Sequence, residues 1–208
     1  IVYQDLEGFE KYKNSKILIL GGGPSSEMAG PIMSEYDYVW SMNHFFLKYP
    51  DTKIDLMSLG SEVNLDQAEF LNYIKKYRPH IGVEWHDKWS SNPEQNKKVK
   101  DLSKENKFFC WQSRWLGCVG VGARLIILGC ELKSEEIHFA GLDGPGAMIR
   151  GDHHFQEGKV SFPAGLNSQN ADNAFSSQYK VFWNYIKNTY KTKIKSIDTN
   201  NTYHKKVS

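Results

Sequence analysis

The sequence predicts an α/β fold in which a mainly parallel sheet carries helices on both faces. Short apolar runs of β-favouring residues alternate with longer segments whose apolar residues recur at helical spacing. Several of these runs end directly in glycine or small polar residues, which is typical of buried parallel strands that close on a tight loop. The 208 residues suffice for one well-buried domain and barely for two, so we expect a single domain over residues 1–208.

The first strand candidate, residues 16–20, leads at once into a glycine loop. The pattern predicts a buried strand, a tight turn and a helix that opens near Pro24. Glycine N–H groups can approach an anion closely, and a helix N-terminus adds unsatisfied donors. We therefore predict that a nucleotide or another phosphorylated ligand binds at Gly21, Gly22, Gly23, Pro24 and Ser25. In the alternative interpretation the glycines only permit the backbone angles of a turn. The spacing is neither G-x-G-x-x-G nor a P-loop, which disfavours NAD or an ordinary ATPase.

Asn43 is the second candidate for ligand binding in the first half of the chain. It follows a strand predicted at residues 38–42, where a side-chain amide can pair with a base edge or a ribose hydroxyl. The alternative is a surface turn in which Asn43 adopts the left-handed conformation. The other predicted elements are a lead-in helix within residues 1–15, a strand at 54–60, a helix at 66–77, a short strand at 81–85 and a polar excursion with one short helix at 86–106.

In the second half of the chain, the sequence predicts a buried helix at residues 119–130, because this run is apolar on most sides. Gly129 stands where a C-terminal cap of this helix is expected. A strand at 137–144 then ends in an acidic, glycine-rich loop that includes Asp143 and Gly144. The densest group of titratable side chains follows within residues 145–165. The last elements are a helix at 170–190, whose aromatic stripe belongs to the core, and a strand at 193–197.

Composition limits the classes of function. The net charge is +2 with 24% charged residues, so no basic excess favours nucleic acid; the locally basic tail at 187–206 is a solvated end, with peripheral membrane contact left open. Cys110, Cys118 and Cys130 lack metal-binding or disulfide spacing, which indicates a reducing compartment and no zinc. The longest apolar window is too short to span a bilayer. We expect a cytoplasmic protein and leave homo-oligomer formation open.

In order and spacing, these features resemble the bacterial sialyltransferases of glycosyltransferase family 42. Residues 21–25 resemble the family's Gly-Asn-Gly-Pro-Ser loop, and residues 41–45 resemble its Cys-Asn-Gln-Phe segment, with Asn43 in the nucleotide-contacting position. Arg114 stands before a small-residue helix, and residues 140–143 resemble the family's Ser-Gly-Ile-Asp strand end. Residues 167–195 are similar to its closing helix and strand.

The resemblance implies a Rossmann-like fold of the GT-A variant type. It implies transfer of a sugar from a CMP-activated donor, such as CMP-sialic acid, to a glycan acceptor with inversion, without a required cofactor or an essential metal. The acceptor would belong to a bacterial or phage surface glycan. The implied nucleotide contacts are the glycine loop with Asn43, Arg114, Gly117, Asp143 and Gly144.

The chain departs from the family at the catalytic base. Asn167 stands where the family has its catalytic histidine, and an amide cannot accept a proton at neutral pH. His153 and His154, beside Asp152, are the candidates that replace it. We favour His154 narrowly, because Phe155 suggests that one of the two histidines faces inward.

The chain also departs from the family at the donor phosphate. The two phosphate-binding tyrosines of the family have no counterparts, since Pro145 and the region of Arg150 occupy those places. A guanidinium binds a leaving phosphate more strongly than phenols do. We therefore predict that Arg150 contacts the donor phosphate.

Two alternatives remain at the level of sequence. The archaeal-type pterin diphosphokinases and related DUF115-like proteins also carry a Gly-x-Gly-Pro-Ser loop, and that resemblance implies ATP and a divalent metal. The available carboxylate ligands would be Asp55, Asp143 and Asp152. The second alternative is a catalytically inactive nucleotide-binding module.

Overall fold

Seven parallel strands form one sheet, which confirms the predicted α/β, Rossmann-like fold. The structure is a computed structural model that describes residues 8–60, 62–84, 92–113, 115, 119–144, 155–156 and 171–200. The strands lie in the order β5-β4-β3-β2-β1-β6-β7, and every neighbouring pair is parallel. Their bounds are Lys16–Leu20 (β1), Tyr38–Met42 (β2), Leu56–Leu59 (β3), His80–Glu84 (β4), Phe108–Trp111 (β5), Glu136–Ala140 (β6) and Lys193–Ser196 (β7).

The helical elements begin and end where the local sequence favours it. The third α-helix, for example, opens with Pro93, and the side chain of Asn92 accepts a hydrogen bond from the Gln95 N–H at 3.1 Å. The bounds are Phe45–Lys48 (α1), Ala68–Tyr77 (α2), Pro93–Leu102 (α3), Gly120–Glu131 (α4) and Ala171–Thr189 (α5), with two 3-10 segments at Phe9–Tyr12 and Pro24–Glu35. Within the described part of the chain, no helix has the length and apolar character needed to cross a membrane.

The segment after the glycine loop is a 3-10 segment rather than an α-helix. It begins at Pro24, as predicted, but Pro31 lies inside it. Proline has no N–H and its ring clashes with the preceding turn, so a regular α-helix cannot continue through this position. The glycine loop is therefore not followed by the α-helical N-terminus that the sequence pattern had suggested.

One further expectation needs correction, and one strand was not predicted. Gly129 does not cap α4, because the helix runs on to Glu131. A Cβ atom on Gly129 would lie 2.6 Å from Cδ1 of Ile137, so this glycine lets the helix pack closely on β6. The aromatic run at Phe108–Trp111, which the sequence analysis left unassigned, is strand β5.

The topology explains why helices cover both faces of the sheet. The chain steps from β1 to β5 in one direction and then returns to place β6 on the other side of β1. Right-handed crossovers put the helices on opposite faces when the direction of travel reverses. The contacts agree: Tyr36 meets His138, whereas Gly129 of α4 meets Ile137, the neighbour of His138 on the opposite face of β6.

A cluster of four side chains joins the end of the 3-10 segment Pro24–Glu35 to β6 and β7. The Tyr36 hydroxyl lies 2.6 Å from Nδ1 of His138, and Nε2 of His138 lies 3.0 Å from Oε1 of Glu136. The Lys195 ammonium lies 3.2 Å from the same carboxylate oxygen. Burial raises the pKa of Glu136, but the contacts with His138 and Lys195 outweigh it, so that the pKa lies below its ordinary value.

The low pKa of Glu136 predicts a pH-dependent contribution to stability. A carboxyl group whose pKa is depressed in the folded state stabilises above its unfolded pKa, and this contribution is lost as the pH falls through the folded value. Urea unfolding should show Glu136→Gln less stable by ~0.5–1 kcal/mol at pH 7, with a smaller difference at pH 3.5. The control is Glu135→Gln, because Glu135 is exposed. A difference that is constant with pH would contradict the assignment.

Candidate functional site

The switch point of the sheet lies between β1 and β6. The connections that leave the carboxyl ends of these adjacent strands diverge toward opposite faces, and open α/β sheets bind ligands in the crevice that results. The loops at this point are residues 21–25, after β1, and residues 141–144, after β6. The sequence predicts nucleotide contacts in both loops.

Gly21 and Gly141 bring the two loops into backbone contact. The Gly21 N–H donates to the Ala140 carbonyl at 2.8 Å, and the Gly23 N–H donates to the Gly141 carbonyl at 2.9 Å. A Cβ atom on Gly21 would lie 2.3 Å from the Gly141 oxygen, and one on Gly141 would lie 2.2 Å from the Gly21 oxygen. Gly141 also has φ +73°, a conformation that L side chains rarely adopt. No larger residue fits at either position without moving backbone.

Ser25 and Asp143 lock the loops together. The Ser25 hydroxyl donates a short hydrogen bond to Oδ1 of Asp143 and accepts one from the Gly141 N–H at 2.7 Å. The Ser25 N–H donates to Oδ2 of the same carboxylate at 2.9 Å. A Cβ atom on Gly23 would lie 2.3 Å from that oxygen, so the absence of a side chain at Gly23 makes room for the carboxylate.

The hydrogen bonds of the loop define what it can offer an anion. The N–H groups of Gly21, Gly23, Ser25 and Ser26 all donate to protein oxygens, and Pro24 has no N–H. Gly22 is the one amide of the loop for which the described residues supply no acceptor. The loop amides are thus used mainly in hydrogen bonds to residues 140–143. Ligand binding at Gly21–Ser25 stays a prediction.

Asn43 lies at the same edge of the sheet, after β2. Its φ of 48° is left-handed, as the turn interpretation predicted. Its side-chain oxygen accepts a hydrogen bond from the Gly60 N–H at 2.7 Å, and its Nδ2 donates to Oε1 of Glu62 at 2.6 Å. The amide is therefore fixed in orientation and keeps one N–H to offer a ligand. Glu62 is an acidic neighbour that the sequence analysis had not singled out.

Of the remaining predicted site residues, Gly144 lies within the described part of the chain. Gly144 closes the 141–144 loop with φ +83°. The other predicted contacts lie outside the described residues: Arg114, Gly117, Arg150, His153 and His154, with Asp152 and Asn167.

Phe155, which directly follows His154, is described and buried. It is 4% exposed, and its ring packs edge-on against Phe45 of α1 with centroids 5.5 Å apart. A second contact joins it to Tyr49 at 6.2 Å. Because α1 begins two residues after Asn43, Phe155 lies near the carboxyl end of β2.

Two of the three carboxylates proposed for a metal, Asp55 and Asp143, lie at opposite edges of the sheet, and the third, Asp152, lies outside the described residues. Asp55 precedes β3 and accepts a hydrogen bond from the Val39 N–H at 2.9 Å, which places it at the amino edge of the sheet. Asp143 lies at the carboxyl edge. Within the described ranges no three His, Cys, Asp or Glu side chains are grouped to hold a metal ion. Asp55 and Asp143 therefore cannot share one ion.

The fold defines an α/β protein with a Rossmann-like sheet, and the glycine loop and the 141–144 loop meet at its switch point. Among solved structures, the chain is similar to the monofunctional alpha-2,3-sialyltransferase Cst-I from Campylobacter jejuni, with a TM-score of 0.56. The similarity covers 92% of this chain and 78% of that chain at 14% sequence identity, so it shows a shared fold. No family model matches the sequence, and the search of curated proteins gives no match.

Alanine substitutions at three glycines should separate close approach from backbone strain. Gly21→Ala introduces only a steric clash with the facing backbone. Gly120→Ala introduces only backbone strain, because Gly120 has φ +79° and open space around its Cβ position. Gly141→Ala introduces both the clash and the strain. We expect losses of unfolding free energy of ~1–2 kcal/mol for Gly120→Ala, ~3 kcal/mol for Gly21→Ala and more for Gly141→Ala. Urea unfolding measures them. If Gly21→Ala costs no more than Gly120→Ala, the two loops are not in tight contact.

Proposed function

We propose that this protein is a glycosyltransferase that transfers a sugar from a nucleotide donor, with a CMP-sugar such as CMP-sialic acid as the preferred donor, to a hydroxyl group of a glycan. The observation that carries the proposal is the locked glycine loop at the switch point of a sheet whose fold is similar to that of a sialyltransferase. The family resemblance of residues 21–25 and 140–143 coincides with the two loops that meet there. Similarity of fold alone would not identify the chemistry.

The donor nucleotide would lie across the carboxyl ends of β6, β1 and β2. The groups available to it are the Gly22 N–H, the second N–H of the Asn43 amide and the backbone at Gly144. Asp143 and Glu62 are acidic, and a donor phosphate is an anion, so its charge needs a cation from another segment. Arg150 is the proposed cation, and Arg114 is the second candidate. A positive charge placed at the leaving phosphate also stabilises the transition state.

The proposed reaction is a direct displacement at the anomeric carbon. The acceptor oxygen forms the new bond to this carbon as the bond to the phosphate oxygen breaks, and CMP leaves with the bonding electron pair. The acceptor proton must pass to a base, for which an imidazole is well matched at neutral pH. His154 is one Cα–Cα step, ~3.8 Å, from Phe155. The burial of Phe155 against α1 therefore supports a base near the β2 end of the crevice.

Nucleotide selectivity tests the donor site directly. Among CMP, UDP, GDP and ATP, we expect CMP to raise the melting temperature most, by about 5–10 °C at a hundredfold excess over its dissociation constant. Asn43→Ala should reduce the shift. Asn14→Ala is the matched control, because Asn14 has φ 55° but precedes β1 at the opposite edge. A protein that responds to none of these nucleotides, or only to ATP with Mg²⁺, would refute the proposed donor.

The base is tested by the pH dependence of turnover. His154→Asn should lower sugar transfer by ~100-fold or more and remove the acidic limb of the pH–rate profile near the histidine pKa of ~6.5. CMP should still raise the melting temperature of this variant. His138→Asn, in the cluster with Tyr36 and Glu136, is the control and should keep the limb. An unchanged profile in both His154→Asn and His153→Asn would exclude the pair as the base.

A further inference from the structure

A second group of polar side chains lies at the carboxyl edge, away from the switch point. We call it the polar corner: Ser58 of β3, Glu84 of β4, Trp111 of β5 and Arg124 of α4. Ser58 is in register with Gly82, and Glu84 is in register with Trp111. Residues in register and alternate residues of a strand share one face of a sheet. The three strand residues therefore lie together on the face that α4 covers.

The contacts within the polar corner are close. The Arg124 guanidinium forms a short ion pair with Oε1 of Glu84, and Glu84 is only 5% exposed. The Trp111 indole nitrogen lies 3.0 Å from the place where a Cβ atom of Gly82 would be, so the ring fills the space above that glycine. Ser58, beside Gly82, is fully buried. Trp111 is only partly buried and links the corner to the surface.

Three polar atoms of the corner lack the partners that buried groups normally have. They are the Ser58 hydroxyl oxygen, Oε2 of Glu84 and the Trp111 indole nitrogen, and each is buried without a hydrogen-bond partner among the described residues. Buried polar groups in folded proteins are nearly always hydrogen-bonded, so such a concentration calls for a missing partner. The missing partner has to accept from the indole N–H and donate to the carboxylate.

We propose that the polar corner is a subsite for a neutral, hydroxyl-rich ligand, and that, given the proposed function, this ligand is the sugar of the glycan acceptor. A hydroxyl group both accepts and donates, so it can bridge the Trp111 N–H and Oε2 of Glu84. The Arg124 guanidinium pairs with Oε1 of Glu84, so Oε2 is the oxygen that remains for a ligand hydroxyl. The indole ring offers an apolar surface for the C–H face of a sugar.

The subsite borders the donor crevice at β3, where the Ser58 carbonyl accepts a hydrogen bond from the Asn43 N–H at 2.8 Å, and it extends from there to β4 and β5. The strand β4 lies three positions from β1 in the sheet order. At ~4.8 Å per strand this is ~14 Å across the sheet. The side chains of the polar corner are not among those assigned to the nucleotide, so binding at the two places can be measured independently.

The test uses simple sugars and CMP as separate probes of the whole protein. A panel of methyl hexopyranosides is titrated by saturation-transfer NMR, and CMP is titrated in parallel. The variants are Trp111→Phe and Glu84→Gln. Trp115→Phe is the matched control, because its indole nitrogen is also buried without a partner but its ring packs against Phe182 of α5.

We expect wild type to bind at least one glycoside, and Trp111→Phe and Glu84→Gln each to weaken that binding at least tenfold while CMP affinity changes less than twofold. Trp115→Phe should change neither. If Glu84→Gln does not fold, Trp111→Phe alone tests the subsite, because it keeps an aromatic ring and removes the indole N–H. Glycoside binding that is absent in wild type, or unchanged in Trp111→Phe, overturns the subsite even when CMP binds. Loss of CMP binding in wild type instead overturns the proposed donor and leaves the glycoside result to be judged separately.

Discussion

The contact between Gly21 and Gly141 is the constraint on which this fold depends. It joins the ends of β1 and β6, two strands that are adjacent in the sheet and far apart in the chain. The hydrogen bonds between Ser25 and Asp143 close the same junction. Because the direction of the chain reverses there, the junction also decides which helices cover which face. A side chain at either glycine would push apart the two loops, whose chains leave β1 and β6 toward opposite faces of the sheet.

The same junction limits how the crevice can bind an anion. A glycine loop is usually considered for phosphate because its N–H groups are free to donate. Here most of these groups hold the loop to β6 and to Asp143, and the following segment is a 3-10 segment rather than a regular α-helix. The glycines serve close packing of backbone. A phosphate bound at this junction would therefore need cationic side chains in addition to the loop amides.

The sequence predicted the strands far better than the contacts between them. β1 and β2 were predicted residue by residue, because each is an apolar run with polar or glycine residues at its ends. The run Phe108–Trp111 was missed, since four aromatic or sulfur-containing residues carry no period that separates strand from helix. Gly129 was taken for a helix cap because glycine commonly ends helices, and its packing on Ile137 is a tertiary contact without a local signal. The pairing of Ser25 with Asp143 joins positions 118 residues apart and was equally invisible.

These contacts distinguish residues that are fixed by the fold from the titratable residues of the loops. Asn43, Ser25 and Asp143 are each held by two or more hydrogen bonds, which suits groups that position a ligand but leaves them little freedom to exchange protons. Functional groups of α/β proteins are commonly supplied by loops that a rigid sheet positions. In this chain the titratable side chains concentrate between Gly144, fixed at the β6 end, and Phe155, buried against α1. Gly144 and Phe155 therefore lie at the same edge of the sheet, at the ends of β6 and β2, where the predicted nucleotide contacts Asn43 and Asp143 also lie.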